Sequence, residues 1–228
     1  MYPDYVEALL LPDIYTHKVD KVQFEQTHLS YVFIAGEYVY KIKKSVSFDF
    51  VDQTKLSQRY EFCVAEVEQN RVLAPDVYLG VVSINKNLDG RIFISEDGQK
   101  DDIIEYAVKM KKLQIQDNLE FLINQKTAIE NFAEIVVNKI FSFHQKAKLF
   151  NAGLELGGWQ AEQAWCNDEL LQQKIHIGHS LEKSNAQLIN EYMMKTLEKF
   201  KLIFDARYTD GQIVFGHGDL QLKHFYLD

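Results

Sequence analysis

Three short stretches of this chain carry residue types that can do chemistry. The first is His217-Gly218-Asp219, which opens the run HGDLQLKH and follows the apolar segment Ile213-Val214-Phe215. A carboxylate in a loop just after a buried strand is held rigidly, and a carboxylate so held suits proton acceptance from a hydroxyl. The same residues also fit a plain turn, with Asp219 capping a helix and His217 packed in a core. The second stretch is Val39-Tyr40-Lys41-Ile42-Lys43-Lys44, followed by a helical segment that offers Glu61, Glu66 and Glu68. A strand lysine oriented by a helix glutamate can hold a phosphate chain; Lys41 fits equally well as one of several solvated strand lysines. The third is EYAVKM at 105–110, either a strand whose backbone can hold an adenine or a core strand and nothing more. His144 on the IFSFHQKA segment reads as structural.

Periodicity supplies the elements that must position these residues. Residues 2–11 suit a short amphipathic helix. Tyr31–Ile34 and Tyr38–Ile42 flank Ala35-Gly36-Glu37, the pattern of a hairpin. Residues 53–73 read as a helix, with Leu56, Tyr60, Cys63 and Val67 on one face and Ala74-Pro75 as its stop. Strands are expected over Val77–Ile84, Arg91–Ser95 and Glu105–Lys111, with turns at Asp89-Gly90 and Asp97-Gly98. The second half is helical in pattern. Ile129, Phe132, Val136, Ile140, Phe143 and Ala147 form one stripe over Ala128–Leu149. Gln160–Lys174 and Lys183–Tyr208 follow, and then a short strand over Gln212–Phe215. The fold class is α+β, with a β-rich unit first and a helical unit after it. Strand lysine, helix glutamate, junction strand, long helices and a final HGD stand in the order found in kinases.

Composition narrows the function classes. The 228 residues are 46% hydrophobic and 25% charged, the balance of a globular protein, and the net charge of −8 disfavours general nucleic-acid binding. Local basic runs, Lys41–Lys44 and Lys109–Lys112, still suit a small anion. Cys63 and Cys166 lack zinc-ligand spacing and read as free thiols. The N-terminal apolar run has no basic flank, and no stretch approaches the roughly 20 apolar residues of a membrane helix. A cytoplasmic location without membrane partners is expected. No GxxxxGK[ST] motif is present.

Taken together, Thr27-His28-Leu29-Ser30-Tyr31-Val32-Phe33, VYKIKKSVSFDF (39–50), FCVAEVEQNRVLAPDVYLGVV (62–82), EYAVKMKKL (105–113) and HGDLQLKHFYL (217–227) carry a resemblance that spans residues 22–227. The chain resembles the aminoglycoside phosphotransferase-like proteins of the protein-kinase superfamily. More narrowly, it is similar to a bacterial group often fused to a C-terminal P-loop or gluconate-kinase-like ATPase domain. The resemblance implies a two-lobed kinase-like fold. Residues 1–111 would form a nucleotide-binding lobe, and 112–228 an incomplete helical lobe carrying the HGD loop. It implies ATP (or GTP) and Mg2+ as cofactors and a small-molecule hydroxyl as phosphoryl acceptor. Lys41 would hold phosphates, Glu66 would pair with it, and Met110 would sit at the adenine strand. Thr27–Ser30 would take the place of the phosphate loop, without its glycines. Asp219, with His217 beside it, would be the catalytic base. His224 stands where the family pattern has a metal-binding Asn. A second metal-gripping Asp would lie beyond Asp228, which implies that the chain is the front part of a longer protein. The missing glycines and His224 keep a second class open, a catalytically impaired nucleotide-binding or regulatory module. The acceptor is not specified by the sequence. Glu155, Glu162, Asp168 and Glu169 suit either a cationic substrate or a solvated helix face.

Overall fold

The computed structural model describes residues 2–48, 51–96, 102–127, 130–147, 149 and 153–227, with Leu154 and Glu155 described by backbone alone. The expected Asp97-Gly98 turn, the helix start at Ala128, the end of the 39–50 block, Asp228 and the side chain of Glu155 lie outside the described residues.

The fold is α+β. The chain divides into two compact units, Met1–Asn131 with His217–Asp228, and Phe132–Gly216. This division differs from the lobes expected at 1–111 and 112–228, because residues 112–131 and the HGD segment both group with the β-rich unit. That unit begins with α1 (Asp4–Leu9), then β1 (Val22–Gln26), β2 (Ser30–Ala35) and β3 (Tyr38–Lys43). A small ladder of β4 (Ser47–Phe48) and β5 (Val51–Asp52) leads into α2 (Leu56–Arg71). The strands β6 (Tyr78–Lys86), β7 (Ile92–Ser95) and β8 (Ile103–Lys111) and the helix α3 (Leu119–Asn124) follow. The main sheet runs β1-β2-β3-β8-β6-β7, and every neighbouring pair is antiparallel.

The hairpin expected over 31–42 forms between β2 and β3, with Ala35 opposite Tyr38. Gly36 makes its turn possible. Its φ is +60°, and a Cβ there would stand 2.9 Å from the Lys18 carbonyl oxygen. Strand alternation then sorts β3 by face. Tyr40 and Ile42 enter the larger core with Val6, Leu9, Tyr15, Phe33, Val82, Ile84 and Ala107. Each large apolar side chain buried there contributes about 2 kcal/mol. Lys41 and Lys43 meet α2 instead, and α2 packs Cys63 and Val67 against Val108 of β8.

The buried face of α2 is Arg59, Cys63 and Val67. Tyr60, expected on that face, is exposed, although its ring lies 4.7 Å from that of Tyr106. Arg59 takes the inward position because β8 offers it a carboxylate. Its Nε donates to Glu105 Oε1 at 3.0 Å and Oε2 at 2.9 Å, and its Nη2 lies 2.8 Å from Oε2. Its Nη1 donates to the carbonyls of Gln53 and Thr54, each at 2.9 Å. Burial pushes the Glu105 carboxyl upward more strongly than Arg59 and the Tyr106 amide pull it back.

The helical unit holds α4 (Phe132–Lys146), α5 (Leu154–Gly157), α6 (Trp159–Gln172) and α7 (Lys183–Thr209). Trp159 ties it together. The indole N–H donates to the Leu197 carbonyl at 3.0 Å, the amide donates to Asp205 Oδ1 at 2.9 Å, and Lys201 sits 4.0 Å over the ring. The described part of the expected α4 stripe (Phe132, Val136, Ile140, Phe143 and Ala147) is half-buried. Among the described residues, none of α4 is fully buried. His144, read as a packed structural residue, is exposed. The strand expected over Gln212–Phe215 is reduced to an isolated bridge between Val214 and Leu149. Among the described residues no neighbouring strand extends that ladder, and Phe215 is exposed. No helix among the described residues is long and apolar enough to cross a membrane.

Candidate functional site

The lysine and glutamate singled out in the sequence, 25 positions apart, are an ion pair. Lys41 Nζ donates to Glu66 Oε1 at 2.8 Å. The other carboxylate oxygen of Glu66 accepts from Lys43. Asn70, one turn further along α2, donates its side-chain amide to the Glu66 carbonyl at 2.8 Å. Burial acts to raise the Glu66 carboxyl, but Lys41 and Lys43 outweigh it and hold the group below its usual range. Glu61 and Glu68, the other candidates on this helix, are exposed.

The segment expected to embrace phosphates is closed on itself. Thr27 Oγ1 accepts from the amides of Leu29 (3.3 Å) and Ser30 (3.0 Å), and the Thr27 amide donates to the Ser30 carbonyl at 2.9 Å. Lys44 caps the turn from the side by donating to the Thr27 carbonyl at 2.6 Å. Ser30 is 1% exposed. Of the two loop residues expected to meet a nucleotide, Thr27 already uses its hydroxyl to accept from the turn, and Ser30 is enclosed. Met110 is half-buried beside the Cys63–Val67–Val108 cluster. The amides that follow it are engaged, Lys111 with the Val77 carbonyl at 2.9 Å and Lys112 with the Glu37 carbonyl at 2.8 Å.

The HGD loop is built around the Asp219 peptide. Gly218 turns the chain with φ +80°. The Asp219 amide donates to His217 Nδ1 at 3.3 Å, and the Asp219 carbonyl accepts from His224 Nδ1 at 2.8 Å. An amide only donates and a carbonyl only accepts, so the tautomers follow. Neutral His217 carries its proton on Nε2, and neutral His224 carries its proton on Nδ1 and leaves the Nε2 lone pair open. The two rings lie 5.9 Å apart. The Asp219 carboxylate is exposed, and its Oδ1 accepts from the Gln221 side chain.

Asn118, which no motif flagged, anchors this loop. Its Oδ1 accepts from the Phe121 amide at 3.1 Å and caps α3. Its Nδ2 donates to the Lys223 carbonyl at 2.9 Å and faces the Phe225 carbonyl at 3.4 Å. The Leu119 amide donates to the Phe225 carbonyl, and the Leu227 amide to the Asp117 carbonyl. Asn118 is 4% exposed. Asn followed by Leu-Glu at a helix start was the available signal. Arg59 and Glu105 were missed as well, because pairing between a helix and a strand far apart in sequence leaves no local pattern.

Lys41 and Glu66 thus stand together, as do His217, Asp219 and His224. No hydrogen bond or ion pair among the described residues joins the two groups. Both belong to the same compact unit. No group of three or more His, Cys, Asp or Glu side chains among the described residues could hold a metal ion. Asp219 is the loop's one carboxylate, and His224 offers nitrogen where magnesium prefers oxygen. The described residues by themselves therefore do not fit a magnesium site. In the helical unit, Asp168 and Glu169 are exposed and Glu162 is half-buried. Asp168 accepts from Gln172 at 2.9 Å, so these residues behave as a solvated helix face.

No family model matches the chain, and no solved structure matches it. Three curated mycobacterial proteins do, one from Mycobacterium bovis and two from strains of Mycobacterium tuberculosis, each described as an uncharacterized protein. Each is 23% identical over 209 residues, which is 90% of this chain and 39% of the relative. The chain thus spans well under half the length of these relatives.

Proposed function

We propose that this chain carries the nucleotide-binding and base-bearing part of a kinase-like phosphotransferase of the aminoglycoside phosphotransferase type, with a two-lobed arrangement. The transfer is from ATP or GTP to the hydroxyl of a small molecule. The observation that carries the reading is the Lys41–Glu66 pair, a strand lysine held at 2.8 Å by a helix glutamate on one face of an antiparallel sheet. Lys41, 30% exposed, is the cation available to a phosphate chain, and Glu66 fixes its direction. Asp219 accepts the proton of the acceptor hydroxyl as that oxygen bonds to the γ-phosphorus and the bond to the β-phosphate oxygen breaks. The His217 and His224 rings keep the Asp219 backbone in place during this step, from the amide side and the carbonyl side. Magnesium would supply charge neutralisation in such a reaction.

The closed Thr27–Ser30 turn and the Gln221 bond to Asp219 favour a second reading, a kinase-like module that binds nucleotide without turning it over. One experiment separates the two. Wild type, Lys41→Ala and Asp219→Ala are titrated with ATP and GTP by calorimetry and then assayed for product with a panel of hydroxyl acceptors. Phosphotransfer requires binding weakened in Lys41→Ala, and turnover lost in Asp219→Ala with binding kept. Binding without product selects the second reading. No binding of either nucleotide by wild type refutes both.

A further inference from the structure

Glu66 faces two lysines, whereas orienting one lysine needs only one. Lys41 and Lys43 are two positions apart on β3 and so point to the same side of the sheet. Each takes one oxygen of the same carboxylate. Their exposures differ: the Lys41 side chain is 30% exposed, and those of Lys43 and Glu66 are both 12% exposed. The third lysine of the run is committed elsewhere. Lys44 donates to the Gln26 side chain at 3.0 Å and to the Thr27 carbonyl, and lies 4.8 Å over the Tyr31 ring.

The charges do not cancel. Two ammonium groups and one carboxylate leave one net positive charge in a half-enclosed position between β3 and α2. A pair made only of Lys41 and Glu66 would be neutral and would attract a phosphate chain weakly. Desolvating a second ammonium is unfavourable, and neutralising Glu66 does not require it. The arrangement makes sense where an anion completes the cluster. We infer that Lys43 is a second cation of the phosphate site, holding Glu66 from the buried side so that Lys41 keeps its charge free for a polyphosphate. This inference rests on reading Lys41–Glu66 as a phosphate-holding pair. In Lys41→Met the Glu66 carboxylate still has Lys43, so α2 stays in place and polyphosphate binding is reduced rather than abolished.

The test uses inorganic tripolyphosphate, and ATP without magnesium, titrated by calorimetry at low and moderate salt. Wild type is compared with Lys43→Met, Lys43→Gln, Lys43→Arg, Lys41→Met and the double Lys41→Met/Lys43→Met variant. Circular dichroism checks folding, and Lys43→Gln replaces Lys43→Met if the latter does not fold. Loss of one charge a few ångström from a phosphate in a partly solvated site should weaken tripolyphosphate about tenfold, with the difference shrinking as salt rises. Lys43→Arg should restore most of the affinity, and the double variant should bind no tripolyphosphate. Wild type that binds while Lys43→Met or Lys43→Gln binds equally well overturns the role of Lys43 alone. Wild type that binds neither probe overturns the phosphate reading of the pair, and this inference with it.

Discussion

Arg59→Met should be among the most damaging single substitutions in the β-rich unit. Arg59 is 7% exposed and Glu105 is 1% exposed, so solvent does little to screen the pair. The change leaves Glu105 with only the Tyr106 amide as donor, and it strips a donor from the carbonyls of Gln53 and Thr54. Breaking a buried pair from one side costs about 3–5 kcal/mol. A domain of this kind holds only about 5–15 kcal/mol in total. The double variant Arg59→Met/Glu105→Leu removes both charges and should recover most of the loss, to within about 2 kcal/mol of wild type. Trp159 and Trp165 both lie in the helical unit, so tryptophan fluorescence would follow the wrong transition. Native-state hydrogen exchange at Ala107 and Val108 reads the right one. Protection there should fall by about two to three and a half orders of magnitude in Arg59→Met, at roughly 1.4 kcal/mol per decade. Glu66 lies on the same helix, about 10 Å further along, so its pairing with Lys41 should loosen too. A single variant losing less than about 1 kcal/mol, or a double variant no better than the single, would refute the reasoning.

Three further outcomes are expected. Glu66 titrates below its ordinary value of 4.5, so its pairing stabilises the fold fully above about pH 4.5 and is lost as pH falls through the depressed folded value. Urea midpoints for the β-rich unit between pH 3 and 6 should therefore drop for wild type and stay flatter for Glu66→Gln. Asn118→Ala should cost about 2 kcal/mol by losing both the α3 cap and the loop anchor. Asn118→Asp should keep the cap, so hydrogen exchange at Leu227 accelerates in both variants and exchange at Phe121 only in the alanine one. Burial pushes the Cys63 thiol up to about 12, and Cys166 is buried and raised as well. A thiol reagent at pH 8 should label neither cysteine in the folded protein and both in urea, and fast labelling of Cys63 in the native state would contradict its burial.

Legibility followed the range of the interaction. The β2–β3 hairpin was readable because two alternating runs around Gly36 need nothing outside themselves. The half-buried face of α4 was readable because helical spacing alone selects Phe132, Val136, Ile140 and Phe143. The inward face of α2 was misread in part. Hydrophobicity nominated Tyr60, but a carboxylate on a distant strand drew Arg59 in its place. The strand expected over 212–215 had the right residue types and found only Leu149 as a bridge partner. Lys41, Glu66, His217, Asp219 and His224 stand out by residue type and motif, and the structure brings Lys41 to Glu66 and both histidines to the Asp219 backbone. Ser30 was named as a nucleotide contact, and the turn that encloses it depends on Thr27 accepting amides from its own loop.

The sequence by itself determined which residues are able to do chemistry, the order in which they come, and the local elements that carry them. Residue type, spacing and turn chemistry act over a few positions and are written into the chain directly. Tertiary structure decided which of those residues meet. Lys43 joined Lys41 on one carboxylate because strand alternation sent both toward α2. Asn118 became the anchor of the HGD loop because the chain returns, about a hundred positions later, to lie beside the start of α3. Such contacts depend on the closing of long loops and the burial of charge, and no short window of sequence contains either.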